Sequence, residues 1–477
     1  MSRHWTRNGL LAAASVALGA VFLTAPARAE PAPVLLVSMD GFRWDYAQRH
    51  PAEAAHLRAY AADGISASEL IPVYPSNTFP NHYSIVTGLY PAHHGIINND
   101  FFDPKLGRLF HYLIASDSRD SAWWGGEPIW VTAVKQGQKS ACSYWVGAEA
   151  AIEGVRPTYT KHFNMKEYQT APFSSRIDEV VGWLKQPADK RPSVVTFYME
   201  ETNGAGHKYG PDSPELAAAV QLLDGRLGAL LDRLHAEHLA VNLIAVSDHG
   251  MTPVSPQRVV FLDDYIDVKT VQIDFQSPEM GLRPLHGTAA DLARVLAPMP
   301  HAHVYLAADL PAHYHLTANP RIPDVWIAAD LGWHVQTRAN AKNPVVHDQK
   351  GDHGFDPADR DMHGILIADG PAFKTGGQVN FNMGATAVVT TATGLTIMLT
   401  ERRAFPGSLG QMTSCGLQPQ DFDVIILKGV HSPIAAYAPV CGTLIRVNTP
   451  GTTTADMVKS LVYHHRRKPL YPFEEKI

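Results

Sequence analysis

Four short apolar runs constrain this chain more than any other feature: Val34-Leu35-Leu36-Val37, Val194-Val195-Thr196-Phe197-Tyr198, Leu243-Ile244-Ala245-Val246 and Ile365-Leu366-Ile367-Ala368. Each stays apolar on both faces, the pattern of strands buried inside a parallel sheet. Helical periodicity fills the spaces between them, most clearly from Pro214 to Leu239, where Leu222, Leu227, Leu230, Leu231 and Leu234 recur near helical spacing. Strands alternating with helices predict a doubly wound α/β fold, with helices covering both faces of a mostly parallel sheet. Apolar residues at 45% and charged residues at 18% can fill such a core, and they exclude a disordered or fibrous chain.

Polar clusters follow three of the runs: Asp40-Gly41 after the first, the stretch from Glu200 to Gly210 after the second, and Asp248-His249-Gly250 after the third. Ligands of open α/β sheets bind beyond the carboxyl ends of the strands, so these clusters are expected to converge. The segment from about Phe261 to Lys350, rich in Pro and His, interrupts the alternation and is expected to be an insertion that caps the site. Forty basic against 46 acidic residues leave a net charge of −6. That is too even to draw the chain onto nucleic acid or anionic lipid, so no specific nucleic-acid binding is expected and an anionic ligand must be held locally.

Arg3 and Arg7 precede an apolar run from Leu10 to Thr24 and then Ala27-Arg28-Ala29. This is the pattern of a secretory signal peptide over residues 1–29, cut after Ala29. Its apolar part, about 15 residues, falls short of the roughly 20 needed to span a bilayer. The mature chain is therefore expected to be periplasmic or secreted, without a membrane span. The cysteines are Cys142, Cys415 and Cys441; an odd number leaves one thiol over, and Cys415 with Cys441 is the expected pair.

Asp40, Asp248, His249, His207 and His353 are oxygen and nitrogen donors of the kind zinc accepts, each close to glycines that permit tight turns. Their expected position at strand ends separates His207, His249 and His353 from His82, His93, His94 and His363, which read as packing or surface residues. The stretch Pro75-Ser76-Asn77-Thr78-Phe79-Pro80-Asn81-His82-Tyr83 runs into Ser84-Ile85-Val86-Thr87-Gly88, where a helix could begin. Thr78 is then either a plain helix cap or a hydroxyl activated by the helix dipole and a nearby metal. The segment by itself leaves both readings open.

Taken together these segments resemble the nucleotide pyrophosphatase/phosphodiesterase family of the alkaline phosphatase superfamily. The resemblance rests on Val37-Ser38-Met39-Asp40-Gly41-Phe42-Arg43, on Thr78 to Tyr83 continuing through Val86-Thr87-Gly88-Leu89-Tyr90-Pro91, and on His94-Gly95-Ile96-Ile97-Asn98-Asn99. It extends to Gly206-His207-Lys208-Tyr209-Gly210-Pro211, Ser247-Asp248-His249-Gly250-Met251 and Gly351-Asp352-His353-Gly354-Phe355-Asp356. It implies an alkaline-phosphatase-like α/β/α sandwich with a capping insertion, the catalytic domain covering residues 30–375. It further implies two zinc ions, one held by Asp40, Asp248, His249 and the Thr78 oxygen, the other by His207, His353 and Asn203. Thr78 would be the nucleophile that forms a phosphothreonine intermediate. Asn99, with the Thr78 backbone N–H, would bind a phosphoryl oxygen. Phe79 and Phe163 would flank the base of a nucleotide substrate, with core packing an equal alternative for Phe163. The reaction implied is cleavage of phosphodiester or phosphoanhydride bonds in nucleotides. Rival readings are a lipid head-group phosphodiesterase, a phosphonate hydrolase, a phosphomonoesterase or a catalytically impaired zinc- or phosphate-binding homologue.

Two departures qualify the resemblance. Thr202-Asn203 stands where the family has Pro-Asp, which removes a charged ligand and predicts weaker zinc at the second site, unless Glu200 or Glu201 compensates. From about Thr375 the pattern stops: Gly384 to Thr400 is rich in Thr, Ala and Val, and residues 376–477 read as a divergent extension or the product of a shifted reading frame.

Overall fold

The computed structural model describes residues 31–316, 318–343 and 347–373, together with Thr386–Thr390, Thr396–Thr400 and residues 412, 417, 418, 421, 422 and 425. The chain divides into two compact units, Met1–Gly376 and Gly377–Ile477. In the first unit the strands discussed below are β1 (Val34–Met39), β2 (Ile65–Ser66), β3 (Lys139–Ser143), β4 (Tyr159–Lys161), β5 (Pro192–Met199), β6 (Asn242–Val246), β7 (Val271–Phe275), β8 (Glu279–Pro284), β9 (Ala302–Leu306), β10 (Val325–Ala329) and β11 (Leu366–Asp369). The helices are α1 (Ala55–Asp63), α2 (Thr78–Thr87), α3 (Phe173–Leu184), α4 (Glu201–Tyr209), α5 (Pro214–Ala236) and α6 (Ala289–Leu296).

The central sheet has the order β2-β11-β6-β1-β5-β3-β4. Strands β6, β1, β5, β3 and β4 are mutually parallel. Alternate residues of β1 divide between two cores: Leu35, Val37 and Met39 join the cluster under α1, α3 and α5, and Leu36 joins an aromatic cluster on the opposite face with Tyr83, Trp130 and Trp145. Burial on both faces is why β1 reads as a continuous apolar run.

The first, second and third apolar runs lie in β1, β5 and β6 as expected for parallel strands, but the fourth does not. Strand β11 pairs antiparallel with β6, Leu366 opposite Val246 and Asp369 opposite Leu243. The chain re-enters the sheet from the carboxyl ends of its neighbours, so β11 runs back through it. An apolar run carries no information about strand direction.

Helix α5 begins where the local chemistry favours it. Ser213 caps it by accepting from Leu216 N at 3.1 Å, with Pro214 in the first turn and Glu215 beside the positive end of the dipole. Its buried stripe is Leu216, Val220, Leu223, Leu227, Leu230 and Leu234, whereas Leu222, placed on that stripe by the sequence reading, is 51% exposed. The register is fixed in part by buried Asp224, whose carboxylate accepts from His56 N and Leu57 N and so caps α1 from a distance.

The segment after β6 forms its own four-stranded antiparallel sheet, order β7-β8-β10-β9, carrying α6 and a core that includes Met280, Leu282, Leu292, Val325 and Ile327. Cys142 is a buried free thiol, whereas the expected Cys415–Cys441 pair and the leader at 1–29 lie outside the described residues. In the second unit Thr386–Thr390 pairs antiparallel with Thr396–Thr400.

Candidate metal centre and cleft

The loops at the carboxyl ends of β1, β5 and β6 meet the start of α2 at one end of a cleft of about 1620 Å³. Asp40 follows β1, and Gly41 turns the chain at φ +65°, where a Cβ would meet the backbone of Asn203 at 2.9 Å. Glycine is required at that position by both conformation and space. Asp248 and His249 follow β6, and Thr78 is the first residue of α2.

Asp40, Asp248 and His249 bring three buried donor atoms within 4.8 Å of one another. His249 Nε2 lies 3.4 Å from Asp40 Oδ1, 3.2 Å from Asp248 Oδ2 and 3.3 Å from Thr78 Oγ1. Burial pushes the Asp40 carboxyl well above its ordinary range, and the neighbouring Asp248 charge adds to the effect. Asp40 Oδ1 has no hydrogen-bond partner among the described residues. Two buried carboxylates side by side are costly without a cation between them.

A second group joins His207, Asp352 and His353. His207 Nε2 and His353 Nε2 face each other at 3.1 Å. His207 lies on α4, and His353 follows a two-residue strand, Gly351–Asp352, that pairs with Thr252–Pro253 outside the central sheet. His353 thus stands at a strand end, but in a small two-stranded sheet apart from the central one, and His207 reaches the group from within a helix.

In all three imidazoles Nδ1 lies beside a backbone carbonyl. His207 Nδ1 is 3.0 Å from Gly351 O, His249 Nδ1 is 2.9 Å from Gly250 O, and His353 Nδ1 is 3.0 Å from Ser76 O. At His249 and His353 the Nδ1–H donates to a backbone carbonyl, which leaves the Nε2 lone pair facing inward as in metal-bound histidines, whereas His207 Nδ1 meets both the Gly351 carbonyl and the Gln349 amide. Burial holds His249 and His353 below their ordinary pKa, and for His353 the neighbouring His249 and His207 lower it further. Neutral imidazoles, carboxylates and an orphaned carboxylate oxygen make a donor set that fits divalent cations.

Asn203 lies on α4 and lines the cleft; its Oδ1 is buried without a hydrogen-bond partner among the described residues. Glu201 does not take the place of the missing acid, because it is bound by Arg226 and by the Tyr168 hydroxyl at 2.7 Å. The sequence reading missed Asp352, whose carboxylate stands 3.6 Å from His207 Nδ1 and 3.1 Å from His334 Nε2. It also missed Tyr198, which donates to Asp40 Oδ2 at 2.5 Å. His82 proves to be a support: its ring touches Ser38 Oγ, Thr78 O and Asp248 Oδ2. His94 bonds Ser84 Oγ and His363 bonds Pro357 O, both away from these groups, and His93 is exposed.

Asn99 Oδ1 accepts from Phe79 N at 2.9 Å, which ties Asn99 to the first turn of α2. Phe79 is half-buried on the cleft wall, edge-on to Tyr112 with ring centroids 5.5 Å apart. Phe163 is also half-buried in the lining, edge-on to Tyr144 at 5.7 Å, and its backbone N donates to Glu149 at 2.7 Å. The inserted sheet closes one side of the cleft with residues from Ile273 to Glu279.

The family model described as type I phosphodiesterase/nucleotide pyrophosphatase matches residues 34–356, a span that holds Asp40, Thr78, Asn203, His207, Asp248, His249 and His353. The chain belongs to that family. Among type I phosphodiesterase/nucleotide pyrophosphatase relatives, venom phosphodiesterase 2 of Crotalus adamanteus is 37% identical over 375 residues, covering 74% of this chain and 44% of the relative. Human ectonucleotide pyrophosphatase/phosphodiesterase family member 1 is 37% identical over 367 residues, 74% of this chain and 38% of the relative. The chain thus spans less than half the length of these two curated relatives. Among solved structures, murine ectonucleotide pyrophosphatase/phosphodiesterase 5 aligns with a TM-score of 0.67 at 34% identity, over 72% of this chain and 89% of that one. The murine protein has also been solved in an inactive form in complex with AMP. A second family model, MlrC C-terminus, matches residues 284–465.

Proposed function

We propose that this protein is a zinc-dependent phosphodiesterase or nucleotide pyrophosphatase that releases a nucleoside monophosphate by way of Thr78. The observation that carries the reading is the position of Thr78 Oγ1, at the first turn of α2 and 3.3 Å from His249 Nε2, where Asp40 and Asp248 also converge. One cation would be held by Asp40, Asp248, His249 and Thr78, and the other by His207, His353 and Asn203. When bound, two such cations neutralise charge on the transferring phosphoryl group and favour ionised oxygen nucleophiles.

In the first step the Thr78 Oγ–phosphorus bond forms as the bond to the leaving oxygen breaks, giving a phosphothreonine that still carries the nucleoside. Water then cleaves the threonine–phosphorus bond, returning the hydroxyl to Thr78. The positive end of the α2 dipole favours the oxyanion of Thr78. Asn99 would orient a phosphoryl oxygen through its amide nitrogen, since its oxygen is bound to Phe79 N. Phe79 and Phe163 would hold the base, an interaction of about 1–3 kcal/mol. The AMP complex of the murine relative supports a nucleotide substrate.

The leader implies export; among the described residues no helix is long and apolar enough to cross a membrane. A second reading, a homologue impaired in turnover, draws on Asn203, which offers the second cation no charge. Rates measured on zinc-loaded protein with a nucleotide diester, a nucleoside triphosphate, a phosphomonoester and a glycerophosphodiester decide between these readings. Diester or triphosphate hydrolysis well above the other two is expected. Preference for the monoester or the lipid head group, or no turnover with two zinc ions bound, would overturn the assignment.

A further inference from the structure

Glu279 opens β8 in the inserted sheet, far in sequence from the motifs, yet it reaches the loops that carry Thr78 and Asn99. Its Oε1 accepts from Asn77 Nδ2 at 2.5 Å and from Asn98 Nδ2 at 2.8 Å. Asn77 Nδ2 also donates to Asn98 Oδ1 at 2.9 Å, and that oxygen accepts from Asn99 N at 2.7 Å. The path continues from Asn99 Oδ1 to Phe79 N. One carboxyl group therefore ties together the residues just before Thr78 and just before Asn99.

A purely structural role fits these observations poorly. Asn77 is the N-cap of α2, a position where asparagine ordinarily accepts from the first-turn N–H groups, yet its side chain makes no cap bond. The amide is turned to Glu279 instead, leaving those N–H groups to other acceptors. Glu279 itself is 3% exposed, pairs with no Lys, Arg or His among the described residues, and has an Oε2 without a hydrogen-bond partner. A carboxyl group buried without a cation is costly, and hydrogen bonds from two amides offset only part of that cost. The third neighbour is Gly354, beside His353, where a Cβ would fall 2.7 Å from Glu279 Oε2 and 2.9 Å from Asn77 Oδ1. Ser277, two residues earlier, adopts φ +63°, a conformation unfavourable for a non-glycine residue, in the turn that delivers Glu279.

We propose that Glu279 is a positioning residue: through Asn77 and Asn98 it sets the spacing between Thr78 and Asn99 and makes the inserted sheet part of the reaction geometry. The proposal rests on the reading of Thr78 as nucleophile. The test is steady-state kinetics of full-length zinc-loaded protein on bis(p-nitrophenyl) phosphate, with zinc content measured on each variant. Glu279→Ala is expected to lower kcat about 10–100-fold, the scale of a small misplacement of reacting groups, with KM and zinc content nearly unchanged. Glu279→Gln keeps an acceptor for both amides and is expected to retain most of kcat. Asn77→Ala cuts the same link from the other side and is expected to reproduce the loss, while the double variant is no slower than either single one. If Glu279→Ala does not fold, Asn77→Ala and Glu279→Gln carry the test. Wild-type kcat in both Asn77→Ala and Glu279→Ala, or a loss in Glu279→Gln equal to that in the disabled variants, would overturn the proposal. An inactive wild-type protein would instead overturn the functional reading beneath it.

Discussion

At the scale of single residues the two donor groups differ in charge. The first combines two carboxylates with one imidazole, whereas His207, His353 and Asn203 include no carboxylate. Asp352, on the Nδ1 side of His207, is the nearest source of negative charge, placed as carboxylates behind metal-bound histidines are. Asn203→Asp is therefore expected to raise zinc stoichiometry under chelator competition and to speed turnover. Asp352→Asn is expected to weaken retention of one ion about 10–100-fold, read as zinc per chain after dialysis against a chelator. Unchanged metal content in both variants would remove these residues from the account. The motif residues could be read because each sits in a short segment whose composition already marks it, such as Asp248-His249-Gly250. Asp352 lies in the segment Gly351-Asp352-His353-Gly354, where the neighbouring His353 is the more evident ligand type. Tyr198 looked like any strand aromatic, and Glu279 depended on a fold for the insertion that periodicity does not supply.

At the scale of elements, local patterns identified strands and helices better than they fixed register or direction. β1, β5 and β6 have two apolar faces because helices cover both, but β11 carries the same pattern while running the other way. In α5 the run Gln221-Leu222-Leu223 offers two adjacent leucines; Leu223 is the one in helical step with Leu216, Val220, Leu227 and Leu234, and the contact of Asp224 with α1 holds that face inward. Leu223→Ala is expected to cost about 2–5 kcal/mol in urea unfolding, the range for a buried leucine. Leu222→Ala is expected to stay within about 0.5 kcal/mol. The reverse order would mean that α5 is rotated from the register described.

At the scale of the whole molecule, the parallel sheet delivers Asp40, Asp248 and His249 to one end. A helix start adds Thr78, and the inserted sheet forms one side of the cleft with Ile273 to Glu279. The family match ends at residue 356, within the unit Met1–Gly376. Covalent chemistry at Thr78 is the central proposed step, and its most direct test is to quench zinc-loaded protein with acid while it hydrolyses a nucleotide diester and to map the modified peptide by mass spectrometry. The predicted result is one nucleotidyl group per chain on Thr78, absent from Thr78→Ala, whose kcat falls by about 10³-fold or more. Full turnover by Thr78→Ala, or an adduct on any other residue, would contradict it.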